Sequence, residues 1–446
     1  MILHLDLDCF FAAAHRINNP HLDNIPIAVG GRSNLSIFER KKETRHLSAI
    51  EGAFTSSILS SNGDKTFKEY FVDPDGRVRG IITTSSYEAR AFGVKTAMPV
   101  AEALRWCPKL TILPPNYPLY HKLSHKLKLL LEKAIPSIEQ FSIDEFFGDV
   151  TGWIKDEDIV AFSTTLKQQI QSELGLPISI GIAKTKWIAK LATNAAKPNG
   201  VKLITPDEVD GFIKDMPIEE FPGIGKGYQE RLTQRGIKTL GDIKKRKDLF
   251  YSWGKPGIQL YDRICGIDHE EISLAHSKKS IGLGRTFDPE ANRDEIRRRI
   301  TILCRHLSFL AHKGKHNPMT FSLKIKYQYG AKAKDFINTN RLFSEQHFKQ
   351  EMVDMFDAID IHPTHALVQV NITLSNFEEN KAVTMDLLNY DEDMKQSKLT
   401  ASMQKLRDKF GIDIIKSAFP QQDNDQKPNL ESHDTQHDTI SDVFLG

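Results

Sequence analysis

The chain has 446 residues, 40% hydrophobic and 26% charged, an ordinary globular composition long enough for about three domains. Cys9, Cys107, Cys265 and Cys304 are scattered and form no C-x-x-C pair, which argues against a disulfide framework or a zinc site and fits a reducing cytoplasm. No apolar run approaches membrane-spanning length, and the net charge of +2 averages an acidic end (Asp423, Asp425, Glu431, Asp434, Asp438 and Asp442 against Lys427) with a more basic body.

In Leu3-His4-Leu5-Asp6-Leu7-Asp8 the apolar residues alternate strictly with polar ones. This predicts a strand with Leu3, Leu5 and Leu7 on a buried face and His4, Asp6 and Asp8 on the other, a pattern unlike a signal peptide. Asp is disfavoured in strands and two of them at i, i+2 repel, so a bound cation is a more economical account than an amphipathic edge strand. Phe10 to Arg16 reads as a helix start, with Phe11 where strand gives way to helix. Ile25 to Val29 is a short strand closed by Gly30 and Gly31, and Gly80 to Thr84 is its expected partner. Between them lie a charged segment (Glu39 to Arg45), a Ser/Asn/Gly-rich patch (Ser56 to Gly63) and a hairpin pattern, with arms Phe67 to Val72 and Arg77 to Ile82 about Asp73-Pro74-Asp75-Gly76.

Pro99 opens a helix from Val100 to Cys107, and Pro114-Pro115 marks a joint. Leu119 to Leu131 is a longer helix with Leu123, Leu127, Leu130 and Leu131 inward. Phe141-Ser142-Ile143-Asp144-Glu145-Phe146-Phe147 then sets two adjacent carboxylates among apolar residues, which is costly unless something positive answers them. Neighbouring side chains of a strand point to opposite faces, so Asp144 and Glu145 can serve one site only at a turn or bulge, such as a hairpin tip. If that tip meets the face carrying Asp6, hard carboxylate oxygens would surround a site suited to Mg²⁺ and not to zinc or copper.

Ile178 to Ile182 is a strand, and the helix Trp187 to Ala196 stops at Pro198-Asn199-Gly200. Ile218 to Lys238 reads as helix-hairpin-helix: Gly223 and Gly225 let backbone N–H groups approach a phosphate, and Lys226 and Lys238 add charge. From Lys278-Lys279-Ser280-Ile281-Gly282 onward, strands at Phe321 to Tyr327 and Ala366 to Leu374 alternate with helices near Glu295 to Ala311 and Glu345 to Met355. Beyond Phe419 the polar composition predicts disorder, followed by Ile440-Ser441-Asp442-Val443-Phe444-Leu445-Gly446, an apolar plug on a polar leash.

Asp6-Leu7-Asp8-Cys9-Phe10-Phe11, then Ser85 to Val94, Ser142-Ile143-Asp144-Glu145 and Ala196-Lys197-Pro198-Asn199-Gly200 resemble, in order, the motifs of the Y-family (translesion) DNA polymerases, over residues 1 to about 419. The resemblance implies an α+β, multidomain right-hand fold. Its parts would be a ferredoxin-like palm (1–9 and 116–204), small fingers (10–115), a helix-hairpin-helix thumb (205–274), a linker (275–280) and an α/β little finger (281–419), before a tail (420–446). It implies two Mg²⁺ ions about 4 Å apart, held by Asp6, the Leu7 backbone carbonyl, Asp144 and Glu145, with Glu145 nearest the metal that activates the primer oxygen. Asp8 has a less settled place in the family's pattern. Thr84, Tyr87, Arg90 and Lys197 match its triphosphate contacts, and Phe11 the ring under the incoming sugar that discriminates against ribonucleotides.

The partners implied are primer-template DNA, deoxynucleoside triphosphates and, through the terminal plug, a sliding clamp; the expected protein is a cytoplasmic monomer without proofreading exonuclease. Two departures stand out. Residues 33–78 replace a short turn and read as a surface elaboration of the fingers, and Gly148 stands where a larger apolar residue is usual, which would loosen the acidic hairpin. A nucleotidyl cyclase and a catalytically silent DNA-binding scaffold are the competing readings.

Overall fold

A computed structural model describes residues 1–38, 46–47, 58–59, 63–274, 278–377, 389–412 and 414–415. The chain opens with β1 (Ile2–Leu7), turns at Cys9 through a left-handed backbone (φ 40°) and enters α1 (Phe10–Ile17). Then come β2 (Ile27–Gly31), a short ladder of β3 (His46–Leu47) with β4 (Ile58–Leu59), α2 (Phe67–Phe71), β5 (Ile81–Ser85), α3 (Tyr87–Ala91), α4 (Val100–Trp106) and β6 (Thr111–Leu113). Strands β5, β2 and β6 form a small sheet in that order.

The chain returns to its first strand through α5 (Tyr117–Ala134), β7 (Ser137–Gln140), β8 (Glu145–Asp149), α6 (Ile159–Leu174), β9 (Ile178–Ala183), α7 (Lys186–Ala196) and β10 (Val201–Leu203). The sheet order is β10-β9-β1-β8-β7. Taken with α5 and α6, strands β1, β7, β8 and β9 make a βαββαβ unit in which the fourth and third strands flank the first, the ferredoxin-like order, and β10 extends it parallel to β9.

Alternation in β1 suggests a half-exposed strand, yet β1 is central and every residue in it is buried. Leu3, Leu5 and Leu7 share a core with Leu127 of α5 and Leu166 and Ile170 of α6. His4 and Asp6 face the other way, against α7. The polar face is therefore covered by the polar side of an amphipathic helix rather than by water.

Helices α8 (Val209–Ile213), α9 (Lys226–Thr233), α10 (Leu240–Lys244), α11 (Lys247–Tyr251) and α12 (Lys255–Cys265) gather around Ile218, Phe221, Leu232 and Phe250, a core continuous with Trp187 and Ile188 of α7. The last unit is β11 (Ser280–Glu290), α13 (Arg293–Lys313), β12 (Pro318–Tyr327), β13 (Lys332–Asn338), α14 (Glu345–Ile359), β14 (Leu367–Phe377) and α15 (Tyr390–Phe410). Its antiparallel sheet runs β11-β14-β12-β13, with α13 and α14 on one face.

Three expectations need correction. The first arm of the hairpin read at 67–82 is helical: Thr66 and Glu69 form a capping box that starts α2, and only Val72 and Val78 bridge across the turn. The segment near residue 33 is not a plain surface elaboration, because Ile37 and Phe38 are buried in the core of the last unit. At Gly148 a Cβ would lie 2.9 Å from Ile135 Cδ1, so that side chain fills the space and β8 is packed there instead of loosened. Among the described residues no helix is long and apolar enough to cross a membrane. The stretches 39–45, 48–57 and 416–446, including the apolar plug, lie outside the described residues.

Candidate active site

The antiparallel register of β1 and β8 sets Asp6 directly opposite Glu145. Like charges facing each other destabilise a sheet, so this pair needs neutralising. Asp144 joins them because it belongs to the turn and not to the strand. Phe141 N and Ser142 N donate to the Glu145 carbonyl (3.0 and 3.1 Å), the Ser142 hydroxyl donates to Asp144 Oδ1 (2.6 Å), and Leu7 N donates to the Asp144 carbonyl (3.1 Å). The hairpin tip inferred from the adjacent acids is thus where they escape strand alternation.

Helix α7 answers these charges. Lys186, Lys190, Thr193 and Lys197 fall at i, i+4, i+7 and i+11 and share one face. Along it Lys186 Nζ reaches Glu139 (2.8 Å), Lys190 Nζ reaches Glu145 Oε1 (2.6 Å), Thr193 Oγ1 bonds His4 Nδ1 (2.8 Å), and Lys197 Nζ reaches Asp6 Oδ1 (2.7 Å). The helix comes this close because of Gly181: a Cβ there would sit 2.1 Å from the Ala189 carbonyl oxygen. From sequence Lys190 is one of a run of basic residues with no site role assigned, although its helical spacing from Lys186 and Lys197 is there to be read.

Burial pushes the Asp6 carboxyl up to about 7; Lys197 pulls it down, while Glu145 and Asp144 push it further up. Asp144 is likewise raised, chiefly by burial, against the hydrogen bond from Ser142. His4 is held well below the usual imidazole range by burial and by Lys190 and Lys197, which keeps it neutral.

Asp8 has a different environment from Asp6. It accepts from Ser179 Oγ (2.9 and 3.0 Å), Asn199 N (2.7 Å) and the Tyr87 hydroxyl (3.3 Å). Its oxygens are thus taken up by protein, and it fastens the start of α3 to the end of α7. The Arg90 guanidinium lies 4.7 Å over the Tyr87 ring, with Nε donating to the Ser85 carbonyl (3.0 Å). Thr84 is half-buried on β5, opposite Val29. Phe11, in the first turn of α1, stacks on Tyr120 (centroids 4.2 Å apart, 13° between planes) with Tyr117 edge-on.

Gly223, Gly225 and Lys226 lie on a separate element, the turn into α9. Gly223 has φ +103°, which favours glycine, and a Cβ at either glycine would meet nothing within 4 Å, so this backbone is open to approach.

Among the described residues no three carboxylate, imidazole or thiol side chains form a ready-made cage for an ion. Lys190 and Lys197 each hold an oxygen of one acid. The donor set is nevertheless hard: carboxylates and a backbone carbonyl, with the one nearby thiol, Cys9, pushed by burial up to about 11 and so kept protonated. That chemistry fits a magnesium-like ion and not a soft one.

The sheet order, the acids at neighbouring ends of β1 and β8 and the basic helix laid across them define a polymerase palm. Residues 5–194 match the impB/mucB/samB family and residues 278–387 its C-terminal domain. A curated relative from Mannheimia succiniciproducens, named DNA polymerase IV, is 34% identical over 289 residues, 64% of this chain and 69% of its own length. One of the same name from Pasteurella multocida is 32% identical over 336 residues, 75% and 82% of the two chains. Among solved structures, a chimera of the Y-family polymerases Dbh and Dpo4 superposes with a TM-score of 0.65 at 22% identity, covering 85% of this chain and 99% of that one. An insertion ternary complex of Dbh gives 0.54 at 22% identity, with coverage of 85% and 99%.

The chain belongs to the impB/mucB/samB family, the Y-family DNA polymerases, and is a DNA-directed DNA polymerase of the translesion class. The family is one of metal-dependent nucleotidyltransferases acting on DNA and nucleotides. The cyclase and silent-scaffold readings are not favoured.

Proposed function

We propose that this polymerase adds deoxynucleotides to a primer 3′ end at the cluster of Asp6, Asp144 and Glu145, at modest fidelity and without a proofreading exonuclease. The observation that carries the reading is the facing of Asp6 and Glu145 across one strand pair, with two lysines standing in for positive charge. Two Mg²⁺ ions held by Asp6, the Leu7 carbonyl, Asp144 and Glu145 would supply activation of the primer oxygen and stabilisation of the leaving pyrophosphate.

The chain's own residues do the rest. Lys197 and Arg90 take charge from the triphosphate, Arg90 as a fork and Lys197 as a point charge, with Tyr87 and Thr84 adding hydrogen bonds. Lys190 holds Glu145 in place through their ion pair (2.6 Å). Phe11, braced by its stack on Tyr120, supplies the ring with which a 2′-hydroxyl would collide. Asp8 is a positioning residue that sets the Tyr87 hydroxyl and the Asn199 backbone relative to Lys197.

Two surfaces would grip the duplex. One is the open backbone at Gly223 and Gly225 with Lys226. The other is the uncovered face of the last sheet, where Lys324 stands opposite Lys334 and Lys326 opposite Lys332. Facing lysines repel in a sheet, and phosphates between them relieve that repulsion. We assign the palm to 1–9 and 116–204, the fingers to 10–115, the thumb to 205–274, the linker to 275–280 and the little finger to 281–419. The protein works as a cytoplasmic monomer whose 438–446 peptide engages a sliding clamp.

Primer extension tests the catalytic reading. With a primed template, deoxynucleotides and Mg²⁺, template-directed products are expected, and a chelator should abolish them. Failure to extend with any divalent ion would overturn it.

A further inference from the structure

Among the described residues, contacts at two places bear on how the little finger is joined to the rest of the chain. After α12, Glu270 accepts from Arg263 (2.6 Å) and the Trp187 indole N–H (3.0 Å), and Ser273 N donates to Glu139 (2.8 Å), so the chain is fastened to the palm up to Ser273. The second place is far away in sequence, at the start of the stretch that departs from the family's short turn. There Ser33 Oγ accepts from Thr286 N (3.2 Å), the Asn34 carbonyl from Arg285 Nε (3.0 Å), and the Phe38 carbonyl from both terminal nitrogens of Arg298 (3.1 Å each).

Apolar packing follows the same line. Ile37 and Phe38, 4% and 7% exposed, are buried in the little finger's core and not in that of the fingers sheet, with Phe38 edge-on to Phe287 (centroids 6.4 Å) and Arg299 over both rings. The segment is also tied to its own side. Asp73 accepts from Arg32 (2.8 Å) and Arg79 (2.9 Å), and Arg79 reaches across to Asp288 (2.6 Å). A plain surface elaboration has no reason to bury two apolar side chains in a neighbouring domain and hand it two backbone carbonyls and a hydroxyl as acceptors.

We propose that Ser33–Phe38 is a clasp that holds the little finger against the fingers before DNA arrives, so that its lysine-bearing sheet is presented already oriented. A domain held by a docked segment in addition to its chain connection loses less orientational freedom on binding, and affinity is lowered by whatever fraction of molecules is not in the competent arrangement. Phe38 and Arg298 are positioning residues: they act on DNA grip through the little finger and leave the chemical step alone. The affinity half of this inference rests on the duplex-gripping role proposed for that sheet.

The test separates the two halves. Glu102→Cys on α4 and Gln350→Cys on α14 supply exposed labelling sites, the four native thiols being buried. In the full-length, DNA-free protein, double electron-electron resonance should give one narrow distance. Phe38→Ala, and separately Arg298→Ala, should broaden it while circular dichroism is unchanged. Primer-template affinity should fall about tenfold if roughly a tenth of molecules remain competent, with the single-nucleotide insertion rate at saturating DNA within about twofold of the parent. A distance distribution unmoved in both folded variants overturns the clasp. A broadened distance with unchanged affinity overturns the preorganisation. Wild-type protein that failed to bind primer-template at all would count against the polymerase reading instead, and the DNA-free distances would still decide the clasp.

Discussion

Asp6 in the palm and Glu345 in the little finger are carboxylates sealed in their folds, 5% and 3% exposed, and they titrate in opposite directions. Burial pushes both up. At Glu345 this is outweighed by Arg407, which reaches both of its oxygens, and by Lys349 (2.6 Å): two cations serve one acid, and its carboxyl is held below the usual range. In the palm three carboxyls, Asp6, Asp144 and Glu145, share two lysines, Lys190 and Lys197, and Asp6 is raised. The structural acid is closed by its own chain. The proposed catalytic cluster shares its cations and leaves room for a ligand of positive charge.

Breaking the open side should have the largest effect. Glu145→Gln should lower single-turnover nucleotide insertion by about a thousandfold or more, since it removes a hard ligand and the partner of Lys190 while keeping side-chain shape. Rapid-quench insertion with saturating DNA measures it, and a loss under tenfold would mean that Glu145 is a structural acid like Glu345. The mirror change, Glu345→Gln, should leave the insertion rate alone and lower stability by about 3 kcal/mol, because Arg407 is left buried without its counter-charge. Urea unfolding checks this.

Phe11→Ala sharpens the contrast within the palm. It should raise ribonucleotide insertion about thirtyfold, close to 2 kcal/mol, while deoxynucleotide insertion is retained. Competition between the two sugars at equal concentration reads it directly, and unchanged selectivity would remove the role.

The smallest effect is on pH dependence, and its signs differ between the two regions. With its folded value raised to about 7, Asp6 favours the fold most when protonated, so metal-free protein should lose stability as pH rises from about 4 through about 7. Glu345, held below the ordinary range, contributes above its unfolded value and is lost as pH falls through its lower folded value. Melting temperatures in chelator should therefore decline as pH rises from about 4 through about 7, and Asp6→Asn should flatten that decline.

The palm was largely legible because its signals are local. Alternation marked β1, adjacent acids among aromatics marked a turn, and Pro198-Asn199-Gly200 marked the end of α7. Lys190 could be given no site role because its partner, Glu145, depends on strand register, a non-local fact. The helix read as a hairpin arm at 67–71 did carry its signal, the Thr66-x-x-Glu69 capping box, but Phe67, Tyr70 and Phe71 are also good strand formers. Helix α15 could not be found from apolar periodicity, since its buried face is polar: Asp393 pairs with Arg341 (2.5 Å) and Arg407 with Glu345. The docking of Ile37 and Phe38 is decided by a surface some 250 residues away in the chain, as the 260-residue separation of Phe38 from Arg298 shows.

The most direct test of the open cluster is the Mg²⁺ dependence of primer extension by the wild type and by Asp144→Asn. An open, under-neutralised cluster predicts saturable Mg²⁺ activation in the wild type and its near-complete loss in the folded variant. Equal extension by both proteins across the titration would contradict it, since the acid beside Glu145 would then have no part in holding the ions.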